Sequence, residues 1–453
     1  MDGMTRRILT LLAALLLLSG CTSTADDGAP PLTDADREAV AQQAVEALAA
    51  GDPTILRALF SRTLAAQLSE SALTDAWEQV GGPAGEYQGT AGVESREEQG
   101  YPVVTVTSEF SEMSVAADLT FGEGTTIEGV WFSYAQADAS EHPDPPTLPE
   151  SATEVEVAVG QYELPGLLTL PEGDGSGAVV LLVSGSGPND MDGTFGTAGN
   201  AILRDLAYQL AAEGVPTLRY DKRFHAKPEL ATAATTIQDE VIDDAVAAVT
   251  LLASRPETAG RPIVVLGHSL GGMVLPAILS ESPEVAGGII LASTARSLWD
   301  VINDQNLAAI AAAVESGSLT EEQAEQQRAT LKEEIARARA LADPDEPAIL
   351  GSMAAPYVVS INELRLPELA AEIEVPLLVL HGSADFQISP EVDFDSWRPV
   401  LAGNPDVTFK LFEGLNHFLM PAGPVPDYTD YNTANVVEPE VSAMIAQWLG
   451  ERW

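Results

Sequence analysis

Ile263-Val264-Val265-Leu266-Gly267-His268-Ser269-Leu270-Gly271-Gly272 joins a short apolar run to a Gly-x-Ser-x-Gly pentad, with small and apolar residues following. An apolar run without alternation reads as a strand buried on both faces, and the stretch after the serine reads as a helix near 271–280. A serine at the sharp turn between two such elements occupies strained backbone. Neighbours without Cβ let the chain reverse there and present the hydroxyl at the edge of a sheet. The pentad alone is a weak signal in a chain of 453 residues. Its strand and helix context makes Ser269 a candidate nucleophile rather than an ordinary turn residue.

Strand-like and helix-like runs alternate on both sides of this stretch. Residues 155–159 and 162–170 suggest a hairpin, and 178–183 a fully buried strand. A helix near 199–213, a strand near 215–219, a helix near 236–254, the strand 262–266 and the strand 287–291 continue the pattern. This order predicts an α/β fold, a mostly parallel sheet covered by helices. From about 296 to 368 the rhythm gives way to charge-rich helical sequence, with Thr320 and Gln323 spaced as a capping box; we read it as a helical lid. A strand at 375–380, a helix near 390–401, a strand at 407–412 and a closing helix near 435–449 complete a domain assigned to 151–453.

A serine hydroxyl attacks a carbonyl when a base removes its proton, and the base must be held in place by a carboxylate. Of the five histidines, His142 lies in Pro-rich sequence, His268 fills the variable position of the pentad, His225 sits in a loop and His381 ends a strand. His417, in the loop after the strand ending at Phe412, is the candidate base. Asp385, just past strand 375–380, is the candidate acid, with Asp393 and Asp395 as alternatives. The order Ser269, Asp385, His417 matches a known order of nucleophile, acid and base. The oxyanion formed on attack needs N–H donors already in position. One is expected from Leu270, and the other from the loop after 178–183, at Ser186 or else at Gly185.

On these residues, the chain from about 150 onward resembles the α/β-hydrolase superfamily, near the exported bacterial esterases and the serine aminopeptidase-like hydrolases. Ser184-Gly185-Ser186-Gly187-Pro188 is similar to their His-Gly-Ser-Gly-Pro oxyanion loop, Arg219-Tyr220-Asp221-Lys222-Arg223 to their Arg-Tyr-Asp-Lys-Arg stretch, and Leu415-Asn416-His417 to their Asn-His base loop. Ser184 stands where the family usually has His, and Phe224 where it usually has Gly, which bears on loop geometry and pocket shape. For Tyr220 to Arg223 we expect structural ion pairing before substrate contact.

Arg6 and Arg7 precede an apolar run, Ile8 to Leu18, and Leu18-Ser19-Gly20-Cys21 closes it. The run is too short for a hydrocarbon core of about 30 Å. It reads as an export signal over 1–20, and its end resembles the lipobox of bacterial lipoproteins. Cys21, the single cysteine, is the candidate lipidation site, which implies an exported protein anchored at the outer face of a bacterial cell membrane. Residues 21–32 read as a flexible stalk. Helical periodicity and four alternating segments near 86–96, 101–109, 112–121 and 126–134 make 33–135 a small α+β domain. Its element order looks like that of the cone-shaped nuclear-transport-factor-like domains. Trp77, Tyr87, Trp131 and Phe132 could line a cleft there, although core packing is the commoner use of such spacing. Residues 136–150 have the composition of a Pro-rich, acidic linker.

Hydrophobic residues at 45% and charged residues at 20% are globular composition. Twenty-two Lys and Arg against 68 Asp and Glu give a net charge of −46, which repels phosphate backbones and anionic headgroups. Nucleic-acid binding is excluded on that ground, and membrane contact is expected through the lipid anchor alone. Asn189-Asp190-Met191-Asp192-Gly193 has part of a calcium-loop pattern but no closing Glu, zinc spacings are missing, and Gly193 to Gly199 lacks a dinucleotide fingerprint. No metal and no cofactor are therefore expected. The sequence predicts an exported serine hydrolase that cleaves small carboxylic esters through an acyl-enzyme, with Met273, Trp299, Met353 and Tyr357 as candidates for the pocket wall. Peptide hydrolysis and acyl transfer on the same triad are the nearest alternatives. A non-catalytic envelope binding protein with a vestigial hydrolase domain is the alternative of a different class.

Overall fold

The computed structural model describes residues 33–453 apart from 99–100, 112–113, 123, 135–143, 174–176, 197, 316–317, 351–352, 424–426 and 429. The segments expected to be an export signal and a stalk with Cys21, His142 and most of the expected linker lie outside the described residues. The chain divides into two compact units, Met1–Ala135 and Gln136–Trp453.

In the first unit Thr33 and Asp36 form a capping box that starts the helix Asp34–Ala49. Short helices Thr54–Ala58 and Arg62–Gln67 and the helix Glu70–Ala84 follow, then an antiparallel meander of Tyr87–Glu98, Tyr101–Phe110, Ser114–Phe121 and Ile127–Tyr134. Val115, Ala117, Leu119 and Phe121 alternate into the core, where Ala41, Ala44, Val45 and Leu48 meet them. Trp77 packs edge-on to Phe132 with ring centroids 5.2 Å apart, and Tyr87 edge-on to Phe110 at 5.5 Å. Trp77 thus lies in the core, and Tyr87 and Phe132, half-buried, pack against it. Trp131 is 53% exposed, because successive side chains of a strand point to opposite faces.

The second unit is built on eight strands: β1 (Ala152–Val159), β2 (Leu164–Pro171), β3 (Val179–Val183), β4 (Thr217–Tyr220), β5 (Ile263–His268), β6 (Val285–Leu291), β7 (Leu377–Gly382) and β8 (Val407–Phe412). Their spatial order is β1-β2-β4-β3-β5-β6-β7-β8; only β2 runs against the rest. The continuous apolar runs arise because each face of the sheet is covered. Val179, Leu181, Ile263 and Val265 face the helices Asp243–Ser254 and Leu275–Glu281, whereas Val180, Leu182, Val264 and Leu266 face Ile202–Ala212 and Pro439–Gly450. Between β6 and β7 lie the helices Leu298–Glu315, Glu321–Ala340, Ala355–Glu363 and Leu366–Ala371, and Thr320 and Gln323 form the predicted box.

The helix expected over 271–280 is two pieces, Leu270–Met273 and Leu275–Glu281. Pro276 has no N–H and its ring would press on the carbonyl four residues back, which favours a break before it. A turn of π-helix, Gln238–Ile242, leads into Asp243–Ser254 where a single helix was expected. Because β3, β5, β7 and β8 are parallel, the loops after Val183, His268, Gly382 and Phe412 emerge at one edge of the sheet.

Gly382 shows how tightly those loops meet. A Cβ there would lie 2.8 Å from the Asn416 carbonyl oxygen and still closer to the Leu415 backbone, whereas a Cβ on Gly403 would meet nothing within 4 Å. Overpacking costs about 1–3 kcal/mol. Gly382→Ala should therefore lower the thermal unfolding midpoint clearly below that of Gly403→Ala, and equal midpoints would contradict this packing.

Candidate active site

Ser269 follows the last residue of β5 with φ 53° and ψ −118°. A non-glycine residue in such backbone costs on the order of 1–3 kcal/mol, so surrounding structure must hold it. Its N–H donates to the Leu291 carbonyl at 2.9 Å, and its carbonyl accepts the Ser293 hydroxyl at 2.7 Å and the Met273 N–H at 3.0 Å. The positive φ belongs to the serine itself; neither Gly267 nor Gly271 has one. These glycines are needed for close approach. A Cβ on Gly271 would lie 2.7 Å from the Ser184 oxygen, and one on Gly272 2.7 Å from the Gly267 oxygen.

His417 and Asp385, both buried, meet through a 2.8 Å hydrogen bond between Nδ1 and Oδ2. The Oδ1 atom accepts the N–H groups of Gln387 at 2.9 Å and Ile388 at 3.0 Å. His381, which the sequence placed only at a strand end, brings Nε2 to 3.2 Å from the same Oδ2 and to 2.9 Å from the Ile388 carbonyl. Burial opposes charge on Asp385, but His417 beside it and the hydrogen bonds from both imidazoles outweigh burial and hold the carboxyl well below the usual carboxylate range. The alternative acids are engaged elsewhere. Asp393 accepts Thr294 Oγ1 at 2.7 Å and the Ser389 N–H at 2.8 Å, and Asp395 pairs with Arg398 at 2.8 Å.

His268 has a role that no sequence signal revealed, since it fills the pentad's variable position. Its Nε2 lies 3.0 Å from the His417 carbonyl oxygen. A carbonyl can only accept, so Nε2 carries the proton. Burial first, and the neighbouring His417 second, push the His268 pKa down to about 3, which keeps the ring neutral. The ring thus ties the end of β5 to the loop that carries His417. Asn416 steadies the same loop, donating to Asp430 at 3.0 Å and accepting the Phe418 and Met420 N–H groups.

Ser269 and His417 line one cavity of about 260 Å³, together with Ser186 and Leu270. With Nδ1 bound to Asp385, the Nε2 edge of His417 is the one left for proton transfer. Leu270 is the first residue of its helix, so its N–H has no acceptor within the helix. Gly185 packs so closely that a Cβ there would come within 3.0 Å of Ser269 Cβ. Met273, Leu298, Val301, Ile302, Met353 and Ile388 supply apolar wall, Tyr357 joins them, and Ser293, Thr294, Gln305 and Gln387 are the other polar contributors. Trp299 is buried outside this lining, with its indole N–H on Asn362 Oδ1 at 2.8 Å. None of the described lining residues is Asp, Glu, Lys or Arg.

The 219–223 stretch forms buried ion pairs. Arg219 meets Asp192 at 2.8 Å and Glu154 at 2.9 Å, Lys222 meets Glu240 at 2.9 Å, and Arg223 grips Asp244 at 3.0 and 2.9 Å. Asp192 of the calcium-like stretch is thereby engaged, and Asp190 accepts the Thr194 N–H at 2.8 Å. Among the described residues, no group of three His, Cys, Asp or Glu is disposed to hold a metal ion. A hydroxyl, an imidazole backed by a buried carboxylate and the Leu270 N–H at a helix start, around one cavity, suit attack on a carbonyl carbon.

The profile of the family described as Serine aminopeptidase, S33, matches residues 198–421, and that of a protein of unknown function, DUF3887, matches residues 41–130. Esterase EstD of Thermotoga maritima is 32% identical over 394 residues, 86% of this chain and 89% of that protein. Two solved structures resemble the chain at lower identity. An esterase of Pyrococcus furiosus is 18% identical with a TM-score of 0.41, covering 66% of this chain and 90% of its own. A proline iminopeptidase of Mycobacterium smegmatis is 19% identical with a TM-score of 0.37, covering 66% and 98%.

The neutral state of His268 makes a prediction about acid stability. Between the ordinary imidazole value of 6.5 and about 3, the unfolded chain binds a proton at this residue that the folded chain refuses. The stability tied to its burial is full above pH 6.5 and is lost as pH falls, by about 1.4 kcal/mol per pH unit. In urea titrations across that window, His268→Gln should lose stability less steeply than the wild type. Equal slopes would contradict the assignment.

Proposed function

The chain belongs to the α/β-hydrolase family of esterases, and we propose that it is a serine hydrolase that cleaves neutral carboxylic esters with apolar acyl groups. His417 takes the Ser269 proton as Oγ bonds to the ester carbonyl carbon, and the N–H groups of Ser186 and Leu270 receive the oxyanion. When the C–O bond breaks, the proton passes from His417 to the departing alkoxide, leaving the acyl group on Ser269. Water, activated by the same imidazole, then releases the acid. Asp385 keeps the ring oriented and stabilises its charged form. The observation that carries this reading is the 2.8 Å hydrogen bond that His417 Nδ1 donates to Asp385 on a cavity that both His417 and Ser269 line.

The lining also bears on ester against peptide. An aminopeptidase must compensate the α-ammonium of its substrate, and an uncompensated charge in an apolar pocket is costly. No carboxylate lies among the described lining residues, and the buried Glu240 is already engaged by Lys222 at 2.9 Å and by the Tyr357 hydroxyl at 2.5 Å. A neutral acyl chain meets no such penalty.

A fluorophosphonate probe should label the wild type and leave Ser269→Ala unlabelled. On p-nitrophenyl esters, Ser269→Ala and His417→Ala should each lose about 10⁴-fold or more in kcat. The wild type should prefer medium-length acyl esters over aminoacyl p-nitroanilides. Labelling of Ser269→Ala would remove the assigned nucleophile, and preference for the anilides would favour a peptidase.

We further infer export and lipid anchoring at Cys21, supported by Arg6, Arg7, the apolar run and the small residues before the cysteine. Expressed in a bacterium that processes lipoproteins, the full chain should fractionate with membranes, and Cys21→Ala should shift to the soluble exported fraction. Unchanged partitioning would refute the anchor.

A further inference from the structure

We propose that Lys222, braced by Glu240 and Tyr357, is a positioning residue that fixes the Gly185–Ser186 peptide for oxyanion binding and ties that peptide to the helix Ala355–Glu363 beside the cavity. The proposal rests on the serine-hydrolase reading and adds to it residues that do not touch the reacting atoms.

Lys222 is 4% exposed, and its ammonium donates to the Gly185 carbonyl at 2.7 Å and to Glu240 Oε1 at 2.9 Å. The same Oε1 accepts the Gly187 N–H at 3.0 Å, and Oε2 accepts the Tyr357 hydroxyl at 2.5 Å. Asn189 completes the cradle, with Nδ2 donating to Ser184 Oγ at 2.9 Å, to the Gly185 carbonyl at 3.3 Å and to the Ser186 carbonyl at 2.9 Å. Its own carbonyl accepts the Lys222 N–H at 3.1 Å.

In a trans peptide the C=O and the following N–H point in opposite directions. A Gly185 carbonyl drawn onto Lys222 therefore turns the Ser186 N–H away from Lys222, and Ser186 is a lining residue beside Ser269 and Leu270. The loop has no ladder partner to fix that choice. Were this peptide to flip, a carbonyl oxygen would face the developing negative charge in place of a donor. A buried ion pair is weak support for stability, because desolvation offsets its attraction, so its placement here is better explained by orientation. Glu240 lies in the π-helical turn, and Tyr357 is itself in the cavity lining, so the wall that meets the acyl group and the peptide that meets the oxyanion share one carboxylate.

The test uses the full-length chain and its Lys222→Met, Tyr357→Phe, Glu240→Gln and Ser269→Ala variants. It measures kcat and KM on p-nitrophenyl butyrate, Ki for a trifluoromethyl ketone, and thermal unfolding. The ketone is attacked by Ser269 Oγ, the proton goes to His417, and the resulting hemiketal oxyanion reports on the N–H donors. Lys222→Met should lose roughly 10²–10³ in kcat, as removal of one oxyanion donor does, with KM changed about threefold or less. Its Ki should rise by a similar factor. Tyr357→Phe should show a smaller loss, about tenfold, in the same two quantities. If Lys222→Met does not fold, Glu240→Gln carries the test, and it must raise Ki in step with the fall in kcat. A lowered unfolding midpoint with kcat and Ki intact, or a loss confined to KM, would overturn the clamp. Turnover by Ser269→Ala at the wild-type rate would instead overturn the nucleophile, so the two failures are distinguishable.

Discussion

The left-handed backbone of Ser269, with φ 53° at the end of a central strand, is the constraint on which the second unit depends. A serine does not hold that conformation by local preference. Here the hydrogen bonds to Leu291 and from Ser293 fix it, and both partners belong to β6 or the residues just after it. The helix after Ser269 can start only because Gly271 and Gly272 let backbone touch backbone. A covered, mostly parallel sheet is thus the support that keeps one hydroxyl at the cavity in an unfavourable geometry.

Charge is arranged by the same logic. The chain as a whole carries −46, yet the described lining of the cavity has no acidic or basic side chain other than His417. The buried charge of Asp385 is balanced by two imidazoles and two N–H groups rather than by a lysine or arginine. The buried cations Arg219 and Lys222 instead pair with Asp192 and Glu240, which belong to or bind the loop that follows β3, and Arg223 pairs with Asp244 on the helix Asp243–Ser254. Attractive charge is spent on holding loops, and the cavity is left for an uncharged guest.

Much of this architecture was legible in the sequence because it is written in local patterns. Continuous apolar runs gave β3, β5 and β7, and Thr320 announced its helix through the spacing of its capping box. Ser269, Asp385 and His417 could be chosen because each follows a strand of one parallel sheet, which brings distant residues to one edge. What was not legible depends on contacts across the fold. Nothing near His268 says that its ring reaches the His417 carbonyl, and nothing near Lys222 says that its ammonium binds Gly185. Trp299 and Tyr357 both lie on amphipathic helices, but one turns toward Asn362 and the other toward the cavity, a difference decided by how helices pack. The break before Pro276 was readable in principle, since proline disfavours a continuous helix there.

A crystal structure of the chain reacted with a p-nitrophenyl alkylphosphonate would show whether residues far apart in sequence converge as described. The phosphorus should be bonded to Ser269 Oγ, with one phosphoryl oxygen about 2.7–3.1 Å from the Ser186 and Leu270 nitrogens, the alkyl group beside Met273 and Ile302, and His417 Nε2 facing the leaving-group side. An adduct on another residue, or on Ser269 with its phosphoryl oxygen turned away from both nitrogens, would contradict the account.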